Sequence, residues 1–301
     1  MSVKKSTQVY RTDMVSLGIA RGQKETVPYL SGTTEYDESG RPTLQVTYSP
    51  EGVITEKTIL GYDEAGRVIR QLHFSEEEEG AGEKSFEYDS SGKVLAEKTH
   101  YLDGSIDTTS YLYNQQNQLV EKVTHNEDGE TEGVEHFRYS GEHLIEHEIV
   151  DADGERVSIE QFEYSTAGKM LMHQQENDET GEFFRLKVEY DVAGRRIAER
   201  FYDDEDNLLE TTYFTEGDKG EVLQTIEEQG RSRKVKDFQY DEQGLQLGYT
   251  ETNERGEQIV VVSHQYDSAG NPLHTLVFVN GGGRVTGSQH YTLDYRHEWH
   301  D

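Results

Sequence analysis

Tyr62-Asp63-Glu64-Ala65-Gly66-Arg67-Val68-Ile69 decides the fold, because the rest of the chain is variation on it. Close copies begin at Tyr36, Tyr88 and Tyr190, each reading Tyr-Asp-x-x-Gly followed by Arg or Lys. Tyr240 and Tyr266 open the same pattern, and weaker copies start at Tyr113, Tyr139, Tyr164, Phe214 and Tyr291. The anchors recur every 24 to 26 residues, and such a period marks tandem supersecondary units.

Each unit reads as two strands and two turns. Asp at the first turn position and Gly at the fourth is the pattern of a type I turn, in which the carboxylate caps local N–H groups and Gly accepts positive φ. On that reading Asp63, Gly66, Asp89, Gly92, Asp191, Gly194, Asp267 and Gly270 are structural turn residues. Where Asn114 replaces the Asp, the same turn is available without a carboxylate, so the Asp serves folding. Aromatic residues sit two apart before the turn, as in Phe86/Tyr88, Tyr111/Tyr113 and Phe137/Tyr139, a spacing that puts both rings on one face of a strand. An apolar pair follows the turn, as in Val68-Ile69 and Val94-Leu95. A second turn lies half a repeat later, at Asp103-Gly104, Asp128-Gly129 and Asp153-Gly154, and Asp-Gly between strand-like runs marks a hairpin.

The expected fold is therefore all-β: tandem β-hairpin repeats of about 25–26 residues in one long, twisted antiparallel sheet, a solenoid-like or coiled ribbon. Roughly 20 strands at about 4.8 Å each would run on the order of 95 Å. Residues 1–33 form an N-terminal basic arm or cap, 34–295 the array, and 296–301 a C-terminal tail. Glu76–Gly82 reads as a lengthened second turn and Asn280–Gly283 as a flexible one.

Only 32% of the 301 residues are hydrophobic, too few for a thick multilayer core, while the 10% aromatic content and strict period argue against disorder. There is no cysteine, hence no disulfide and no thiolate chemistry. Twenty-nine basic against 60 acidic residues give a net charge of −31, which excludes a phosphate-binding surface and allows a basic protein partner. The arm is +3, leaving −34 on the remainder. No apolar run of signal-peptide or membrane-helix length occurs, so the expectation is a cytoplasmic protein with no membrane partner.

Several constellations resemble chemistry. His143-Leu144-Ile145-Glu146-His147 matches a zinc-peptidase spacing that works on a helix, whereas four residues of strand span about 13 Å and cannot chelate one ion. Asp203–Asn207 has the alternating oxygens of a calcium loop but lacks its later Gly and Glu. Gly80–Ser85 has neither the spacing nor the following helix of a phosphate loop. No catalytic residue, metal ligand or cofactor site is assigned.

The Tyr-Asp-x-x-Gly-Arg units at 36, 62, 88 and 190 resemble the YD or RHS repeats of bacterial surface and toxin-delivery proteins. In that family the repeats form long β-sheets that can spiral into a shell around a polypeptide cargo. A looser resemblance is to MORN-type repeats, some of which belong to cytoplasmic antitoxins. The functional expectation is a non-catalytic scaffold or adaptor that binds another protein along an extended β-surface. The alternatives are an immunity or chaperone-like protein wrapping a basic toxin or secreted client, or a carbohydrate-binding module. The candidate partner-binding stripe is Tyr62, Phe86, Tyr88, Tyr111, Tyr113, Phe137, Tyr139 and Trp299.

Overall fold

The computed structural model describes residues 3–16, 23–76, 81–280 and 289–300. Their regular structure is 23 β-strands, with no helix among them. In chain order these are β1 (Lys4–Ser16), β2 (Gln23–Glu25), β3 (Tyr29–Tyr36), β4 (Pro42–Tyr48), β5 (Ile54–Tyr62), β6 (Val68–Ser75), β7 (Ala81–Tyr88) and β8 (Val94–His100). There follow β9 (Ile106–Tyr113), β10 (Leu119–His125), β11 (Thr131–Ser140), β12 (His143–Asp151), β13 (Arg156–Tyr164), β14 (Met170–Asn177), β15 (Phe183–Tyr190) and β16 (Arg196–Tyr202). The last are β17 (Leu208–Glu216), β18 (Val222–Gln229), β19 (Ser232–Tyr240), β20 (Gln246–Thr252), β21 (Gln258–Tyr266), β22 (Pro272–Val279) and β23 (Gln289–Trp299). The expected turns at Glu76–Gly82 and Asn280–Gly283 fall largely on 77–80 and 281–288, outside the described residues.

The chain divides into two compact units. The first holds Met1–Thr58, Ser75–Glu77 and Thr212–Asp301; the second holds Ile59–Phe74 and Glu78–Thr211. In the second, consecutive antiparallel pairings run from β6 to β16. In the first, β18 to β23 pair in the same sequential manner.

The open, solenoid-like ribbon implied by the repeat period is not what forms. Strand β1 pairs on one side with β3, Ser6 opposite Glu35. On its other side it pairs with β23, Tyr10 opposite Asp294. The N-terminal strand thus joins the two ends of the meander, and the antiparallel sheet is closed through β1 rather than open, with β2 an extra strand on β1. The physical reason is edge satisfaction. An open ribbon leaves a row of unpaired N–H and C=O groups along each edge, and closure alone removes both rows. Residues 1–33 accordingly supply β1, β2 and the start of β3.

Few side chains are fully enclosed. Val46, Ile159, Val188 and Ala198 are the buried apolar residues among those described, with Val188 and Ala198 on the neighbouring strands β15 and β16. Most other strand residues are half-buried, as suits a chain with so few hydrophobic residues. Stability rests on ladder hydrogen bonds and on cross-strand pairs rather than on a deep core.

Candidate protein-binding edge

The Tyr-Asp-x-x-Gly turn is a corner in which every motif residue has a job. At Asp63 the backbone N–H donates to Arg67 O at 3.0 Å and Gly66 N–H donates to Asp63 O at 3.0 Å. This is a type I turn closed by a left-handed residue. Gly66 takes φ 84°, a value that only glycine reaches without steric cost. The Asp63 Oδ1 accepts from Arg67 N–H at 2.9 Å, and Oδ2 accepts from the Arg67 guanidinium at 2.7 Å. Asp89, Asp191 and Asp267 repeat the carboxylate bonds, each accepting the N–H groups two and four residues on at 2.8–2.9 Å. Gly92, Gly194 and Gly270 repeat the positive φ. Asn114 accepts the same pair of N–H groups through its amide oxygen, at 2.9 Å each. These bonds favour the charged form, so the carboxyls of Asp63, Asp89 and Asp191 lie below the usual range, chiefly through the backbone N–H four residues on. For Asp267 the chief cause is the Asn271 side chain.

The motif tyrosine ties one repeat to the one before. Tyr88 O–H donates to Val68 O at 2.6 Å, Tyr113 to Val94 O at 3.0 Å, and Tyr190 to Met170 O at 2.9 Å. The residue after the turn glycine reaches the other way. The Arg67 guanidinium lies 4.7 Å from the Tyr88 ring centre and donates to Asp89 O at 3.2 Å. Lys93 stands 5.0 Å from Tyr113, and Lys169 stands 4.9 Å from Tyr190. Sequence reading passed over this clasp, although a basic residue after the glycine recurs at 41, 67, 93, 169 and 195.

The candidate stripe is therefore half-buried rather than laid bare. Burial raises the hydroxyl pKa of Tyr88, Tyr113 and Tyr139. It also raises that of Tyr111, whose O–H donates to Glu97 at 3.0 Å. Phe86 lies opposite Glu97, and Phe137 stacks on His147 with ring centres 4.4 Å apart. Tyr62 is half-buried at the end of β5. Trp299 is 41% exposed, with the Lys4 ammonium 5.9 Å from its ring.

Beside these rings runs a polar ladder on β7 to β14: Lys84 to Glu97 at 2.6 Å, Lys122 to Glu135 at 3.0 Å, His147 to Glu135 at 2.9 Å, and His173 to Glu160 at 3.1 Å. His143 and His147 lie on strand β12 and go separate ways, since His143 stacks on Tyr164. Among the described residues no group of three His, Asp or Glu side chains is placed to hold a metal ion. Asp203 caps its own turn, accepting from Glu205 N–H at 3.0 Å and Asn207 N–H at 2.8 Å.

What is exposed at this edge is aliphatic. At the base of each Tyr-Asp hairpin the register slips by one. Glu87 faces Ala96 while Tyr88 faces Val94, so Leu95 is the extra residue of a β-bulge. Ile145, Leu171 and Ile197 are the extra residues of the same bulge in later repeats. Leu95 is 45% exposed, Ile145 37%, Leu171 37% and Ile197 41%. Ile69 stands at the equivalent place in its repeat and is 40% exposed. Two open grooves, of about 590 and 520 Å³, lie between adjacent turns along this edge. One is lined by Val120, Tyr139 and Ile145, the other by Leu171, Tyr190 and Ile197.

Because consecutive antiparallel strands send alternate turns to opposite edges, charge sorts as well. Within the second unit the five turns at 101–105, 126–130, 151–155, 177–182 and 203–207 hold fourteen carboxylates and no Lys or Arg. The Tyr-Asp turns at 63–67, 89–93, 114–118, 140–143, 165–169 and 191–195 hold five carboxylates against four Lys or Arg.

No family model and no curated protein matches the chain. Among solved structures it is similar to a porin-like protein from Bacteroides uniformis ATCC 8492, at 11% identity over 99% of each chain, with a TM-score of 0.34. A porin-like protein from Bacteroides vulgatus ATCC 8482 is matched at 10% identity over 80% of this chain and 96% of that one, TM-score 0.24. The TcdB2-TccC3-TEV structure is matched at 10% identity over 86% of this chain, TM-score 0.28, and the chain spans only 18% of its length.

The cytoplasmic assignment, with the picture of a cytoplasmic repeat array, does not stand. It rested on the lack of an apolar run of signal-peptide or membrane-helix length. Among the described residues no helix is long and apolar enough to cross a membrane, but that says nothing of strands: a closed barrel is the architecture that crosses with them, and the sheet is closed through β1.

Proposed function

We propose that this is a non-catalytic binding protein whose Tyr-Asp edge holds a protein partner. The observation that carries this is the row of bulged aliphatic residues at one register of the second unit: Leu95, Ile145, Leu171 and Ile197 are exposed on β8, β12, β14 and β16, with the half-buried Val120 at the same place on β10. Apolar side chains repeated at one edge form a contiguous patch of the kind that marks an interaction surface. The sequence resemblance to YD repeats fits a polypeptide partner. The opposite turns, rich in carboxylates, favour a basic one by raising its encounter rate.

The test compares the wild-type chain with Leu95→Asp/Leu171→Asp and with Glu127→Gln/Asp153→Asn on the opposite edge. A protein that co-purifies from the native cell should be lost from the first variant through faster dissociation. With the second it should associate more slowly at low salt and dissociate at an unchanged rate. Retention by the aliphatic-edge variant, or no partner at low salt, would remove the proposal.

A further inference from the structure

In the first unit, β1, β3 and β4 bring Val9, Gly32, Thr34, Gln45 and Thr47 to one face of the sheet. Val9 lies opposite Gly32, Gly32 opposite Thr47, and Thr34 opposite Gln45. Beside them Ser31 is the extra residue of a β-bulge, its hydroxyl donating to Val9 O at 3.1 Å. Val46, which points to the other face, is only 7% exposed, whereas Gln45 and Thr47 are exposed. A cleft of about 300 Å³ lies here, lined by these residues together with Glu56 and Lys57 of β5.

Gly32 floors the cleft, and the backbone does not require a glycine there. It is not among the residues at positive φ, and an added methyl would meet only Val46 O, at an ordinary 3.5 Å. At Gly133, by contrast, the methyl would press on Val150 O at 3.2 Å. Gly61 and Gly82 have room similar to that at Gly32 but line no described groove. A glycine inside a strand weakens it, and one without a conformational reason marks a place where another molecule comes close to the sheet. The polar lining is free to meet one: the side chains of Thr34, Gln45, Thr47 and Glu56 bond to no described group. Two hydroxyls, an amide and a carboxylate offer donors and acceptors together. One ammonium and one carboxylate supply neither the clustered cations that hold a phosphate nor the several carboxylates that hold a divalent ion.

We propose that this cleft binds one pyranose ring, free or at the end of a glycan. Its hydroxyls both donate and accept, as the lining does, and its ring face lies on Val9 and Gly32. The site belongs wholly to the first unit and is independent of the Tyr-Asp edge.

Methyl-labelled NMR tests it, with Val9→Ala identifying the Val9 signals. The probes are glucose, galactose, mannose and N-acetylglucosamine, each also as its methyl glycoside, and cyclohexanol as a ring with a single hydroxyl. At least one sugar should shift the Val9 signals saturably, and cyclohexanol should not. A methyl glycoside that binds as well as its parent assigns the cleft to a glycan end; one that binds about tenfold more weakly assigns it to the free sugar. Gln45→Ala, at an exposed position, should weaken binding about tenfold. Gly32→Val, which fills the floor, should abolish the shift and leave the far-ultraviolet circular dichroism unchanged. No saturable shift with any of the sugars, an equal response to cyclohexanol, or a shift undiminished in Gln45→Ala would overturn the proposal. The wild-type and Gln45→Ala arms decide the matter even if Gly32→Val misfolds. No partner protein is used, so a negative result here leaves the Leu95/Leu171 experiment standing on its own.

Discussion

Two glycines of the first unit separate the cost of a backbone angle from the cost of space. Gly270 closes a Tyr-Asp turn at φ 82°, and an added methyl would touch Leu245 at an ordinary 3.7 Å. Gly270→Ala therefore meets only the left-handed penalty, about 1–2 kcal/mol. The smaller entropy of the unfolded alanine chain offsets about 0.4–1 kcal/mol of that, leaving about 1 kcal/mol. Gly248 is different. It lies in β20 between Gln239 and Ser263, at φ 147°, and its added methyl would collide with Val262 O. Backbone oxygen cannot rotate away, so β20 and β21 must part locally. Leaving one ladder donor and its acceptor unmet costs about 1–3 kcal/mol apiece, so about 4 kcal/mol is expected for Gly248→Ala. Urea unfolding followed by far-ultraviolet circular dichroism measures both, through the midpoint at unchanged slope. Equal midpoints for the two variants would refute the reasoning, by showing that the strand relaxes to the backbone that Ala96 and Ala198 adopt after their own bulges.

Other outcomes follow from the clasp, the closure and the turns. Tyr190→Phe removes the bond to Met170 O and should cost about 1 kcal/mol, whereas Tyr139→Phe, whose hydroxyl has no described partner, should cost a few tenths at most; equal losses in urea unfolding would contradict the tie between repeats. Deleting residues 1–16 uncovers the edges of β3 and β23, so light scattering should show self-association; a monomer of undiminished stability would argue against closure. The turn carboxyls of Asp63, Asp89 and Asp191 are held below their ordinary value of 3.8. Their folded-state value is the lower one, so their contribution is complete above pH 4 and fades as pH falls through that value. A triple Asp→Asn variant should accordingly lose less stability than wild type between about pH 4 and 2, and identical acid profiles would exclude the mechanism.

The strand-turn-strand unit was legible in the chain because its causes are local. Asp63, Gly66 and the paired aromatics act within a few residues, through a capped turn and the two-residue alternation of a strand. Asn114 in place of Asp even showed that the turn needs no carboxylate and that the Asp serves folding. Three things were not legible. Closure depends on β1 meeting β23 across nearly the whole chain, and a repeat period is the same whether its ends meet or not. Val94-Leu95 is in sequence an apolar pair after the turn, with nothing to say which member is covered, and a one-residue bulge, which arises only when two strands pair, leaves Leu95 exposed, as it does Ile145. The clasp between repeats appears only once Arg67, Lys93 and Lys169 are seen lying on the next repeat's ring. Local chemistry writes the hairpin; which edges pair, and what each pairing hides or uncovers, is settled by contacts between residues far apart in the chain.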